Sequence, residues 1–233
     1  MAITKKTLSM YPGLPRQVIE NEKKAAQKYR EEHPDSLIPD LERELRENGF
    51  VFEVGSQTFG FVPKHKKTIV PIALRYYRLA RDSARYNEQN HFLRYLAFRG
   101  NDEVVPMLID DLCAAQTPSL TGWYIADALY QIGSTRQIDD VIRIAADPRF
   151  GVNRQMLILL IGRLKVERAI PMLIGLLDDP EVCLQAIVAL GCFKREELRG
   201  CFLRFRDDER PGRRKAARSA LKKLDGRQKK ENG

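Results

Sequence analysis

The sequence has no run of about 18 apolar residues, the length that a membrane-spanning helix requires, so no transmembrane segment is expected. Its first residues, MAITKKTLSMYPG, carry lysines but no apolar stretch behind them, and a secretory signal peptide is not expected either. Cysteine is scarce: four residues, with no Cys-x-x-Cys and no Cys/His cluster. That pattern speaks against zinc and suggests a reducing compartment, the cytoplasm by default. Histidine is scarcer still. His33, His65 and His91 all lie far upstream of Cys183 and Cys192, in different predicted elements, so neither thiol has a base close by to activate it. Glycine never concentrates into a phosphate-cradling loop. With these absences no catalytic constellation remains. The expectation is a protein that is not an enzyme and carries no metal or cofactor.

What is present is a core and an uneven charge. A chain of 233 residues that is 43% hydrophobic and 30% charged can bury a substantial interior. The net charge of +9 is not spread evenly. Residues 1–83 hold 15 Lys/Arg against 11 Asp/Glu, residues 84–193 hold 10 against 13, and residues 194–233 hold 15 against 7. A cationic end of this kind either attracts a polyanion or keeps a terminal helix solvated.

The middle of the chain repeats. With Ala186 as position 0, Ala186, Ala189, Leu190 and Phe193 fall at 0, 3, 4 and 7, one face of an α-helix. The same pattern recurs in Ala217, Ala220, Leu221, Leu224, in Leu157, Leu160, Ile161, Leu164 and in Ile125, Ala128, Leu129, Ile132. A degenerate copy is Phe92, Tyr95, Leu96, Arg99, and successive starts are 33, 32, 29 and 31 residues apart. Each unit then turns (Gly100-Asn101, Gly133-Ser134, Lys165) into a second amphipathic helix with apolar residues at 13, 16, 17 and often 20. "PMLI" occurs in two of these, at 106–109 and 171–174. Asp147-Pro148, Asp179-Pro180 and Asp208-Glu209-Arg210-Pro211 open the next units, because a carboxylate accepts the free N–H groups of a first turn and Pro there loses no hydrogen bond.

"DDPEVCLQAIVALGCFKREEL", residues 178–198, resembles the short, roughly 30-residue HEAT repeats of phycobilin-lyase-like proteins. The resemblance covers about 88–225 and implies an all-α, armadillo-like fold: an α-solenoid of about five helical hairpins. It also implies a scaffold binding a protein or peptide on its concave face, which second helices line. Two HEAT enzymes were compared. The deoxyhypusine hydroxylase type needs His-Glu pairs, and this chain has none. The HEAT-like alkylpurine DNA glycosylases present Trp and Asp to a damaged base; Trp123 and Asp127 share a helical face here, but their second Trp has no counterpart.

Residues 1–83 do not repeat and read as a small α+β cap over the first unit, followed by the solenoid at 84–226 and a basic, disordered tail at 227–233. Helices are expected at 15–33, at 36–49 and at 68–82, where Val70, Leu74, Tyr77 and Arg81 would face the first repeat. "FVFEVGSQTFGFV", 50–62, alternates about Gly-Ser-Gln and reads as a β-hairpin. Helix, helix, hairpin is also the order of a winged-helix DNA reader. Asp40, Glu42, Glu44 and Glu47 on its would-be recognition helix argue against that reading.

Surface residues carry the functional expectation. Positions 11, 14 and 18 of the second helices form a ridge: Glu103, Pro106, Asp110; Arg136, Asp139, Arg143; Arg168, Pro171, Gly175; Glu197, Gly200, Arg204. The candidate partner-binding residues are Arg136, Asp139, Arg143, Arg168, Arg199 and Arg204. A second candidate set, for a polyanion such as nucleic acid, is Arg206, Arg210, Arg213, Arg214, Lys215 and Arg218. Cys183, at −3, aligns with Gln89, Gly122, Arg154 and Arg214, and Cys192, at 6, with Phe98, Gln131, Arg163 and Lys223; both positions are expected to be partly exposed. Cys201 aligns with Met107 and Met172 and is expected to be buried.

Overall fold

The computed structural model describes residues 27–28, 31–50, 58–114 and 119–231, and every regular element among them is helical. Two compact units are present, Met1–Phe98 and Arg99–Gly233. Their division lies after the expected boundary at 83/84, inside the first repeat.

In the first unit, α1 spans Ile38–Glu47, α2 Lys66–Asp82 and α3 Tyr86–Leu93. Pro39 and Asp40 open α1, and Gly49, at a φ of 88°, takes the left-handed turn after it. Leu41 and Leu45 are fully buried, and α1 packs on α2. The α1 carboxylates are engaged: Glu44 pairs with Arg75 and accepts from the Tyr76 hydroxyl at 3.2 Å, and Glu42 is buried.

Two expectations for this unit change. The buried face of α2 is Ile69, Ile72, Ala73, Tyr76, Tyr77 and Ala80, so of the expected stripe only Tyr77 belongs to it. That face forms a wider apolar arc than a stripe ending in Arg81, with Arg75 and Arg78 left opposite it. Residues 51–57 lie outside the described residues. The remainder of the expected hairpin, 58–62, opens a 3-10 helix, Thr58–His65. Gly60 and Pro63 weaken that segment as a strand, since Pro has no N–H for a ladder.

In the second unit the helices are α4 Val105–Ala114, α5 Leu120–Ile132, α6 Ile138–Ala146, α7 Arg154–Leu164, α8 Ile170–Gly175, α9 Cys183–Phe193, α10 Arg199–Leu203 and α11 Pro211–Glu231. The first helices stack in a row, α5 on α7, α7 on α9 and α9 on α11, and each second helix packs on the first helix that follows it. Positions 0, 3, 4 and 7 are buried in all five copies except at Arg99, which is exposed, and Leu164, which is half-buried. The stack is tight. A side chain on Gly162 would run into the Ala189 backbone, and one on Gly191 would come within 3.2 Å of the Ala220 Cβ. In both pairs position 5 of one unit meets position 3 of the next. The helix α11 continues through Glu231, so most of the tail expected to be disordered is helical.

The turns repeat as closely as the helices. Gly100, Gly133, Lys165 and Lys194 all lie at position 8, with φ values of 85°, 68°, 52° and 54°. The three aspartates expected to cap share one turn geometry: Asp147, Asp179 and Asp208 accept the N–H two residues on at 3.0, 3.0 and 2.8 Å. Only Asp147 is an N-cap, of the 3-10 helix Pro148–Asn153, and α9 starts after Val182 with no side-chain cap. Ser119 opens α5 instead, accepting from the Gly122 N–H at 3.0 Å.

Two predictions follow from these conformations. A left-handed lysine costs about 1 kcal/mol, partly offset by the greater freedom of glycine in the unfolded chain. Lys165→Gly and Lys194→Gly should therefore each raise stability by about 0.5 kcal/mol in chemical denaturation. On α3, His91 lies edge-on to Phe92 at 5.7 Å with its Nε2 unpartnered. Burial first, and then the charge of Arg94, draws its pKa from 6.5 down to about 4. The unfolded chain thus binds the proton more readily, and stability present above pH 6.5 is lost as pH falls from 6.5 to about 4. The loss amounts to about 3 kcal/mol at 1.36 kcal/mol per unit. Denaturation midpoints over that range should fall less steeply in His91→Gln.

Candidate interaction surface

The second-helix ridge is exposed, as expected, with only Pro106 half-buried. Three of its four arginines are paired with carboxylates. Arg168 of one unit pairs with Asp139 of the unit before, and Arg204 pairs with Asp178 across the next junction. Arg143 holds Asp140 at 2.9 Å; Arg199 holds Glu196 and, at 3.0 Å, Asp225. The Arg204 guanidinium keeps the Asp178 carboxyl below its ordinary range. Arg136 is exposed and makes no ion pair among the described residues. Apart from Arg136, the candidate set is therefore held in pairs with carboxylates along the units.

Beside this ridge lies a feature that the sequence pattern hid. Position 17 was expected to be apolar core, and at Ile109 it is buried. At Ile142 it is half-buried, whereas Ile174 is 38% and Leu203 48% exposed. The second helices are anchored by positions 12 and 16 instead: Val104 and Leu108, Ala169 and Leu173, Leu198 and Phe202. Short 3-10 turns, Asp102–Val104, Glu167–Ala169 and Glu196–Leu198, lead into α4, α8 and α10 and bring position 12 inward. Position 17 does not follow these turns alone: Ile109 stays buried behind one, and Ile142 is half-buried without one. The spacing alone carried no sign of it.

The polyanion candidates split by partner. Asp207 binds Arg206 at 3.0 Å and Arg218 at 2.8 Å. Arg213 donates to the Pro180 carbonyl at 3.3 Å, and Arg214 to those of Asp208 at 2.7 Å and Glu209 at 3.3 Å. Carbonyl bonds fix these two side chains but leave their charge intact. Arg210 and Lys215 are exposed.

Position −3 is buried, contrary to expectation: Gln89, Gly122, Arg154 and Cys183 lie inside, and Arg214 is half-buried. Arg154, 1% exposed, is the residue that sequence reasoning missed. It donates from Nε to the Gly151 carbonyl at 2.9 Å and pairs with Asp179 at 2.8 Å and Glu181 at 3.2 Å, both in the turn that opens the next unit. Asp179 thus serves two roles, as acceptor in its own turn and as counter-ion to the preceding unit. An arginine at this spacing with an aspartate 25 residues on was the available signal.

The four thiols differ in their surroundings. Cys183 is buried, and burial raises its pKa, the opposite of activation. Cys192 and Cys201 are half-buried, the latter contrary to expectation, and Cys113 is exposed. Among the described residues no His, Cys, Asp and Glu side chains group to hold a metal ion. Trp123 is half-buried and edge-on to Tyr124 at 5.7 Å. Burial raises the pKa of Asp127, with Gln131 at 3.5 Å opposing the shift. No described helix is long and apolar enough to cross a membrane.

Asp179→Ala should leave Arg154 buried with one partly exposed carboxylate and should cost about 2–4 kcal/mol. Arg154→Met, which removes the buried charge at similar volume, should cost less. Urea denaturation of the two variants gives the order directly.

Compared with known proteins, the chain matches no family model, no curated protein and no solved structure.

Proposed function

We propose that the chain is a non-enzymatic, HEAT-like α-solenoid scaffold that binds a protein or peptide along its second helices. The five-fold sequence period, the row of stacked first helices and the left-handed residues at one repeat position support the solenoid reading. The observation that carries the binding reading is the apolar row at position 17. Ile142, Ile174 and Leu203 recur on successive units beside arginines that are already paired with carboxylates. An apolar centre inside a polar rim is the usual anatomy of a protein interface. Paired charges leave the ridge close to neutral, which suits an amphipathic segment of mixed charge better than a polyanion.

The test is affinity capture with the intact chain and with Ile174→Asp/Leu203→Asp. Both side chains are exposed, so the variant should keep its helical circular dichroism and melting temperature. A partner held through this face should bind at least about tenfold more weakly to the variant, a loss of about 1.4 kcal/mol. Arg168→Glu should weaken it less and in a salt-dependent way. A set of partners retained in full by the Asp variant overturns the reading.

A further inference from the structure

The position that stacks one first helix on the next changes character in α11. Positions −2, 1 and 5 of α9 are Leu184, half-buried, and Ile187 and Gly191, buried; Leu184 and Gly191 lie against α11. The same positions of α11 are Lys215, Arg218 and Lys222, all exposed. A polar outer face would by itself keep an end helix soluble, and carboxylates would serve that purpose as well as lysines. Elsewhere in this unit Arg143, Arg168 and Arg204 are each matched by a carboxylate, Asp140, Asp139 and Asp178. Here only Arg218 is matched, by an Asp207 that it shares with Arg206. Asp225, further along α11, is held by Arg199. One sign of charge has accumulated where every earlier first helix carries only uncharged residues.

We propose that this face of α11 binds the phosphodiester backbone of duplex nucleic acid, without reading its sequence. Lys215 to Lys222 spans about 10 Å at 1.5 Å per residue, over which one strand of a B-form duplex presents about three phosphates. Lys215, Arg218 and Lys222 are spaced to meet them from one side of the helix. An anionic membrane fits less well. An interfacial helix lays its apolar side into lipid, whereas Ala217, Ala220, Leu221 and Leu224 of α11 are buried and α11 packs on α9. An acidic protein partner would need an apolar anchor, and these three positions supply none.

The experiment is fluorescence anisotropy of a labelled 20-base-pair duplex DNA with the full chain, repeated between about 50 and 200 mM salt. Three neutralised phosphates give a slope of log K against log salt of about −2.7, at about −0.9 each. Lys215→Gln/Lys222→Gln should reduce the slope by about 1.8, to the same extent on duplexes of unrelated sequence. An Ile174→Asp/Leu203→Asp chain should bind the duplex as the parent does, which separates this face from the second-helix surface. Three results overturn the proposal: no duplex binding at 50 mM salt, a slope unchanged in the lysine variant, or binding of phosphatidylserine vesicles by the parent where the duplex is not bound.

Discussion

The close approach of one first helix to the next is the constraint on which the second unit depends. A hairpin whose helices run to about ten residues cannot enclose its own apolar faces and must borrow a wall from its neighbour. That wall is near enough only where the contacting residue is minute. Gly162 against Ala189 and Gly191 against Ala220 meet that condition. Between α5 and α7 a different contact takes its place: position 5 is Tyr130, whose ring carries the Arg163 guanidinium at 4.2 Å. Gly133 leaves the room that this guanidinium occupies.

Adjacent units are also joined by polar contacts at two levels. Arg154 reaches from the interior into the turn that opens the next unit, and Arg168 and Arg204 reach across the surface to carboxylates of the unit before. The interior link is shielded from salt and costly to leave half-made; the surface links are solvated and individually weak. The two differ in what they fix. A buried guanidinium with three partners specifies the register between units, while the surface pairs set the charge pattern a partner would meet.

The helical face at 0, 3, 4 and 7 was legible because a period of 3.6 residues leaves a pattern that five copies reinforce. The turn at position 8 was legible for the same reason, and the aspartate turns because their chemistry is local. The inward turn of position 12 was not. It comes with 3-10 turns whose sequences, Asp-Glu-Val, Glu-Arg-Ala and Glu-Glu-Leu, look like ordinary first turns of α-helices. The face of α2 was off by one residue because Val70 and Leu74 are as apolar as the residues that packing selected. Arg154 was missed because burial of a charge depends on partners 25 or more residues away, which a single segment does not display. The exposure of the ridge was thus legible, but its pairing and its apolar border belong to tertiary structure.

Position 5 lies behind the second-helix surface and out of contact with solvent in α7 and α9. Its size sets how near two units come, and a small change in that spacing, repeated along a row, alters the curvature of the whole array. An alanine in place of such a glycine must therefore move one first helix against the next, with every exposed side chain unchanged. Shape and surface chemistry are in this way separately heritable properties of the chain.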